Sequence, residues 1–233
     1  DLPPGSHGTR GREKGGELGE IGKKARVIRL NAGDSDHAGL DEAKKILLSG
    51  GIVAFPTESF YGLAVNAMDE AAIQRLFRVK KRRRDRPVLI LIHDERALPG
   101  YVEPVSGIAR KLIPRFWPGG LTLVFRAGPK ISPLLTAGTG KIGVRLSSHP
   151  VPTAMARSIN GPITGTSANI SGRPACIDPE EVYQSLGNDI DLILDAGETA
   201  GGKGSTILDV TVHPPRVLRE GMIKSGRLFA PYI

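Results

Sequence analysis

The sequence is poor in cysteine, aromatics and long apolar runs, and each shortage removes a class of protein. Its single cysteine, Cys176, excludes an intramolecular disulfide and fits a reducing compartment, so a cytoplasmic location is expected. No stretch approaches the roughly 18 apolar residues that span a bilayer, and the start carries no apolar signal core. His7, His37, His93, His149 and His213 are scattered, so no His/Cys cluster has metal-ligand spacing and no metal site is read. No Gly-x-Ser-x-Gly elbow occurs, and no histidine is placed by sequence as a base for the cysteine. Aromatics make up 5% of residues, few for the stacking platforms that RNA readers use.

What the chain has in excess is positive charge. The net charge is +8 with a sequence pI near 9.8, which implies anionic partners such as nucleotides or nucleic acid. No amphipathic basic helix is evident, so a membrane partner is not expected. Most of the excess sits in one place. From Arg78 to Arg86 seven of nine residues are Lys or Arg against one Asp, a local charge of +6. Behind this run, Val88-Leu89-Ile90-Leu91-Ile92 reads as a strand buried on both faces. Ahead of it, Asp69 is a candidate N-cap for a helix that places Ile73, Leu76 and Phe77 on one face. The basic run is therefore read as a loop between a helix and a core strand, close to the sheet edge. A basic run by itself is often a solvated loop or a localisation tag; the strand directly after this one argues against a free tail.

At 233 residues the chain is one large domain, or one domain with extensions. Residues 1–25 are Gly-rich, charged and nearly without aliphatics, so they are expected as a disordered leader to a domain over 26–233. Val27–Leu30 reads as a first strand, followed by a helix capped by Asp36 with Leu40, Ala43 and Leu47 on its apolar side. Ser49-Gly50-Gly51 stops that helix. Strand Ile52–Phe55 then runs into Pro56-Thr57-Glu58-Ser59-Phe60-Tyr61-Gly62. This turn carries three hydroxyls and a carboxylate just past a strand end, where ligands of open α/β sheets bind. A helix over 104–117 ends at Trp117, read as a core anchor, and leads to strand Leu121–Phe125. In the strand 139–146, alternation puts Lys141, Gly143 and Arg145 on one face. A helix over 151–159 and a strand from Pro162 lead into Thr166-Ser167-Ala168-Asn169, a turn dense in small polar groups. Asp178-Pro179-Glu180-Glu181 has the cap, proline and acids of a helix start. Leu192–Leu194 is another strand. Gly201-Gly202-Lys203-Gly204-Ser205-Thr206 lacks Walker spacing and precedes strand Ile207–Val210 rather than a helix, which rejects a P-loop. Val217–Gly221 is the last strand before a short C-terminal helix. Cations and small hydroxyls at strand ends suit a phosphorylated ligand on which charge develops, without a covalent intermediate.

Together these motifs resemble a known family. Pro56-Thr57-Glu58-Ser59-Phe60-Tyr61-Gly62-Leu63 resembles the Pro-Thr-Glu-Thr-x-Tyr-Gly-Leu signature of the YrdC-like threonylcarbamoyl-AMP synthases. Lys80-x-Arg82 and Ser167-x-Asn169 are similar to that family's paired Lys-x-Arg and Ser-x-Asn. Phe116-Trp117-Pro118-Gly119, Val144-Arg145, Ser205-Thr206-Ile207 and Leu218-Arg219-Glu220-Gly221 follow in the family's order, so the likeness runs from about Val27 to Ile223. It implies a single α/β domain, an open twisted mixed sheet flanked by helices around a basic concave cavity. It also implies condensation of L-threonine, bicarbonate and ATP to L-threonylcarbamoyl-AMP and pyrophosphate, for threonylcarbamoyladenosine in tRNA.

The resemblance assigns residues position by position. Ser59, Arg145, Ser205 and the Gly165 backbone fall where the family holds threonine, with Thr57 and Tyr61 in the same turn. Arg82, Arg86, Lys141, Ser167, Ala175 and Arg219 fall where it holds ATP. Lys80, Arg82, Ser167 and Asn169 form the implied catalytic set, and Mg²⁺ is expected on the departing pyrophosphate. Three positions depart from the pattern: Arg83 replaces a frequent proline, Arg86 a frequent Asn or Lys, and Ala175 a frequent serine. The implied partners are a downstream threonylcarbamoyl-transferase complex and, through the basic concavity, tRNA or double-stranded RNA. Two alternatives stay open: a non-catalytic RNA-binding module, and a carbamoyl-adenylate enzyme of hydrogenase maturation.

Overall fold

A computed structural model describes residues 24–30 and 37–230; nearly all of the expected leader and the Asp36 cap lie outside them. In chain order the strands are β1 (Arg26–Arg29), β2 (Val53–Phe55), β3 (Gly62–Ala64), β4 (Leu89–Leu91), β5 (Leu121–Arg126), β6 (Lys141–Arg145), β7 (Ile163–Ser167), β8 (Leu192–Asp195), β9 (Thr206–Asp209) and β10 (Arg216–Arg219). The helices are α1 (His37–Leu48), α2 (Glu70–Val79), α3 (Gly107–Phe116), α4 (Pro133–Thr136), α5 (Pro150–Ser158), α6 (Pro179–Leu186) and α7 (Ser225–Leu228). The strands form one mixed sheet ordered β1-β8-β2-β3-β7-β4-β6-β5-β9-β10. The described residues thus make a single mixed α/β domain, as expected.

Local chemistry accounts for the element ends. Asp69 caps α2 by accepting from Ala72 N, and Asp178 caps α6 by accepting from Glu181 N, with Pro179 at the first position. Gly50, at φ 79°, takes the left-handed conformation that ends α1. Trp117 is an anchor: 6% exposed, its Nε1 donates to Leu121 O at 2.7 Å. One expectation is corrected. The strand behind the basic run, β4, is not near an edge but mid-sheet, between β7 and β6. Its partners lie far along the chain, Leu89 opposite Gly165 and Leu91 opposite Arg145, so no local pattern reveals its place.

The alternation of the strands divides the molecule into two layers. Ala54, Ile90, Leu123, Ile142, Val144, Ile193 and Leu208 point to one side and join Ile73, Leu76 and Phe77 of α2, Leu112 of α3 and Val182 of α6 in the larger core. On the opposite side Val53, Phe55, Ala64, Leu91, Ile163, Leu192 and Leu194 meet Ala43 and Leu47 of α1 and Met155 and Ala156 of α5 in a smaller one. This second cluster contains residues of β2, β3, β4, β7 and β8 and none of β5, β6, β9 or β10. On that side the four strands have a concave face that neither α1 nor α5 packs into.

Candidate active site

That face is the floor of a cavity of about 680 Å³. Most residues that line it follow the same two-residue period: Thr122 and Val124 of β5, Lys141, Gly143 and Arg145 of β6, Ile207 and Asp209 of β9, Arg216 and Leu218 of β10; Arg219, next to Leu218, joins them where the pairing of β10 with β9 shifts register. Their in-between neighbours belong to the larger core. Gly143 permits this floor to be close-packed, since a Cβ there would stand 3.1 Å from Thr122 Cγ2 and 3.2 Å from Leu89 Cβ.

Arg145 ends β6 and is the most deeply set cation of the floor, its side chain 8% exposed. It pairs with Glu58, whose Oε2 accepts from Ser147 Oγ at 2.5 Å. Among the described residues Arg145 Nε has no hydrogen-bond partner. Burial, and then the charge of Arg219, lower its pKa to about 10, so it stays cationic at neutral pH. Beside it, Arg219 donates through Nε and Nη2 to Ser205 O at 3.2 and 2.9 Å, and Ser205 Oγ lies 2.8 Å from Thr122 Oγ1. Lys141 reaches diagonally past Val124 to Asp209, Nζ to Oδ2 2.9 Å, while Asp209 Oδ1 accepts from the backbone and hydroxyl of Thr211.

The turn after β2 forms one wall. Thr57 Oγ1 donates to Phe60 O at 2.6 Å and accepts from the N–H groups of Ser59 and Phe60, so it shapes the turn rather than offering its proton to a ligand. Tyr61 is buried; its hydroxyl donates to Gly197 O at 2.7 Å and accepts from Ala196 N, and burial raises its pKa to about 12. Ser59 Oγ, by contrast, has only the Thr57 hydroxyl near it, at 3.4 Å. Arg82 lines the opposite wall, donating to the carbonyls of Arg86 and Pro87 at 3.2 and 2.7 Å and so bracing its own loop.

Of the residues expected in the site, Ser59, Arg145, Gly165, Ser205, Thr57, Tyr61, Arg82, Lys141, Ser167, Ala175 and Arg219 all line this one cavity. Three do not. Arg86 is exposed and gives the site only its carbonyl, which holds Arg82. Lys80 is 1% exposed, and its Nζ donates to Ser167 O, Asn169 O and Asn169 Oδ1, so it does not reach a ligand's phosphates. Asn169 is buried behind Ser167, whose hydroxyl it accepts at 2.6 Å. The reason is common to the last two: the end of α2 points inward, and the polar groups of the turn after β7 must be satisfied there. Sequence reasoning missed Glu58, Thr122 and Asp209. Each carried a signal, Glu58 inside the quoted turn, Thr122 and Asp209 by sharing parity with Val124 and Ser205.

A family model described as telomere recombination, which joins Sua5, YciO and YrdC, matches residues 45–221. A Mycobacterium tuberculosis protein provisionally named threonylcarbamoyl-AMP synthase is 37% identical over 190 residues, 82% of this chain and 87% of its own. The threonylcarbamoyl-AMP synthase of Bacillus subtilis is 36% identical over 190 residues, 81% of this chain and 55% of its own. Among solved structures, Pyrococcus abyssi Sua5 complexed with L-threonine matches with a TM-score of 0.79 and 35% identity, over 84% of this chain and 56% of that one. The chain therefore spans about half the length of the last two proteins.

Proposed function

The chain belongs to the Sua5/YciO/YrdC family, and from that premise we propose that it condenses L-threonine, bicarbonate and ATP into L-threonylcarbamoyl-AMP, releasing pyrophosphate. The observation that carries the reading is Arg145. A buried guanidinium with an unpartnered Nε on a cavity floor is built for a carboxylate, which two parallel hydrogen bonds would satisfy. Threonine supplies that carboxylate. Its hydroxyl falls to Ser59 and Ser205, and the Gly165 backbone is the third element of the pocket. Thr57 and Tyr61 hold the wall.

The nucleotide occupies the other end. Arg82, Lys141 and Arg219 face its phosphates, Ser167 donates to a phosphate oxygen, and Ala175 contributes its backbone. Threonine and bicarbonate first give the N-carboxylated amino acid with loss of water. Its carbamate oxygen attacks the α-phosphorus, the bond to the β-phosphate oxygen breaks, and pyrophosphate leaves. The protein's part is positioning and charge stabilisation, the usual case for phosphoryl transfer. Mg²⁺ arrives as part of the Mg-ATP substrate; among the described residues no group of three or more His, Cys, Asp or Glu could hold an ion. A cavity of about 680 Å³ is in the range of roughly 300–1,000 Å³ common for such ligands. The product feeds threonylcarbamoyl transfer to tRNA by a downstream complex. A cytoplasmic site of action accords with this, and no described helix is long and apolar enough to cross a membrane.

The test is pyrophosphate release with Mg-ATP and labelled bicarbonate, with and without L-threonine. Release that requires both co-substrates is expected. Equal turnover without threonine, or none under any condition, overturns the proposal. RNA binding without turnover would favour the non-catalytic module.

A further inference from the structure

Within the basic run 78–86, Lys80 alone is buried. Its ammonium has three N–H donors, and the structure gives it three acceptors on one turn: Ser167 O, Asn169 O at 2.7 Å and Asn169 Oδ1 at 3.1 Å. The turn answers in kind, since Ser171 N donates to Lys80 O at 2.8 Å. Asn169 is fixed from its other side by Nδ2 donating to Arg173 O at 2.5 Å.

Ser167 completes the network and poses a chemical problem. Its only proton is committed to Asn169 Oδ1, at 2.6 Å. A nucleotide phosphate oxygen is an acceptor, so a Ser167 that binds one has to turn its hydroxyl away from Asn169. That would leave a buried amide oxygen without a donor, unless another group holds it. Lys80 Nζ is that group. We infer that Lys80 is a positioning residue, whose ammonium keeps Asn169 Oδ1 satisfied so that the Ser167 hydroxyl is free to donate to the nucleotide. The inference rests on the reading of the cavity as a nucleotide site and assigns Lys80 no contact with substrate.

The protonation state follows. A neutral amine has two N–H groups and cannot serve three acceptors. Burial, and then the positive charge of Arg82, lower the Lys80 pKa to about 7. All three donors are therefore present below about pH 7, and one is lost as pH rises through it. Nucleotide affinity should fall over the same interval, but only to the extent that Ser167 carries the effect.

The experiment measures dissociation constants of a non-hydrolysable ATP analogue on either side of pH 7 for wild type, Ser167→Ala, Lys80→Met and the double variant. The ratio of wild type to Ser167→Ala at each pH cancels the analogue's own titration. Below pH 7 wild type should bind about tenfold or more tightly than Ser167→Ala, the scale of one hydrogen bond to a charged group, and that advantage should shrink above it. Lys80→Met should bind weakly with no such pH dependence, with threonine affinity kept as the check on folding. The double variant should be no weaker than the worse single one. Losses that multiply in the double variant would mean that Lys80 touches the nucleotide itself, which overturns the inference. Wild-type nucleotide affinity in Lys80→Met overturns it as well. Should wild type bind no nucleotide at all, it is the reading of the cavity that fails.

Discussion

Replacing Arg145 by lysine separates the two duties that the structure gives this residue. One is internal. Glu58 is 16% exposed at its side chain and relies on Arg145 for its counter-charge, so Arg145→Ala would leave a mostly buried carboxylate unpaired. Breaking such a pair by removing one partner costs about 3–5 kcal/mol. For a domain of this size that is a fall in Tm of roughly 6–20 °C, so the alanine variant would report on folding more than on ligand binding. Lysine keeps a cation beside Glu58 and should spare most of this stability. What it loses is the planar fork. With one edge of the guanidinium on Glu58, Nε and the remaining N–H groups are left for a ligand carboxylate. A single ammonium cannot reproduce two parallel hydrogen bonds. Loss of one charge-assisted bond is worth about 1.5–3 kcal/mol, roughly a tenfold to hundredfold weakening of threonine binding. Calorimetric titration of threonine, with thermal unfolding of the same samples, reads both quantities. Wild-type threonine affinity in a folded Arg145→Lys protein would refute the carboxylate assignment.

Three further outcomes are expected. Arg82→Ala should lower kcat by about 10²–10³, whereas Lys81→Ala and Arg84→Ala, exposed and outside the cavity lining, should stay within about threefold; equal losses in a steady-state comparison would make the run a diffuse charge patch. Serine should bind about 1–3 kcal/mol more weakly than threonine, for the missing methyl, and valine more weakly still, because it gives the Ser59 hydroxyl, 3.4 Å from that of Thr57, nothing to bond; comparable calorimetric affinities for valine and threonine would contradict this. His149 caps α5 through Nδ1, which accepts from Val151 N at 3.3 Å, and burial depresses its pKa below 6.5. Its neutral form therefore contributes stability present above pH 6.5 and lost as pH falls through the lower folded value. His149→Asn keeps a capping oxygen and does not titrate, so its Tm should decline less with acid than that of wild type; parallel declines would remove His149 as the cause.

Much of the site was legible because strand parity and turn chemistry are local. Lys141, Gly143 and Arg145 alternate in the sequence and share the cavity floor in the fold. Asp69 and Asp178 announced their helices, and Gly201–Thr206, placed before a strand, contributes Ser205 rather than a phosphate-cradling helix N-terminus. What failed was long-range. The position of β4 follows from its pairing with Gly165 and Val144, which no window around 88–92 contains. Lys80 failed for a different reason. Its place in the basic run made it part of the loop and the resemblance put it in the catalytic set, yet its backbone N–H still bonds to Leu76 O, so it belongs to the last turn of α2 and shares that helix's inward direction.

The location of the cavity has a topological cause that the motifs do not contain. A parallel connection needs a crossover, and a crossover helix covers a face of the sheet; an antiparallel neighbour needs only a short link. β9 and β10 are antiparallel and joined by a short link, and β5 and β6 are antiparallel and joined through the four-residue α4, which packs beside α2 on the core side. Neither link lays a helix over the opposite face. Alternation then sends every second side chain of these four strands onto that bare surface, where apolar residues would be exposed without a partner. Lys141, Arg145, Arg216, Thr122 and Asp209 stand there among Val124, Ile207 and Leu218. An uncovered face is thus what the topology leaves in any chain with this sheet order. The arrangement of Arg145, Glu58 and Ser205 is what the topology does not require, and it is there that the chemistry is decided.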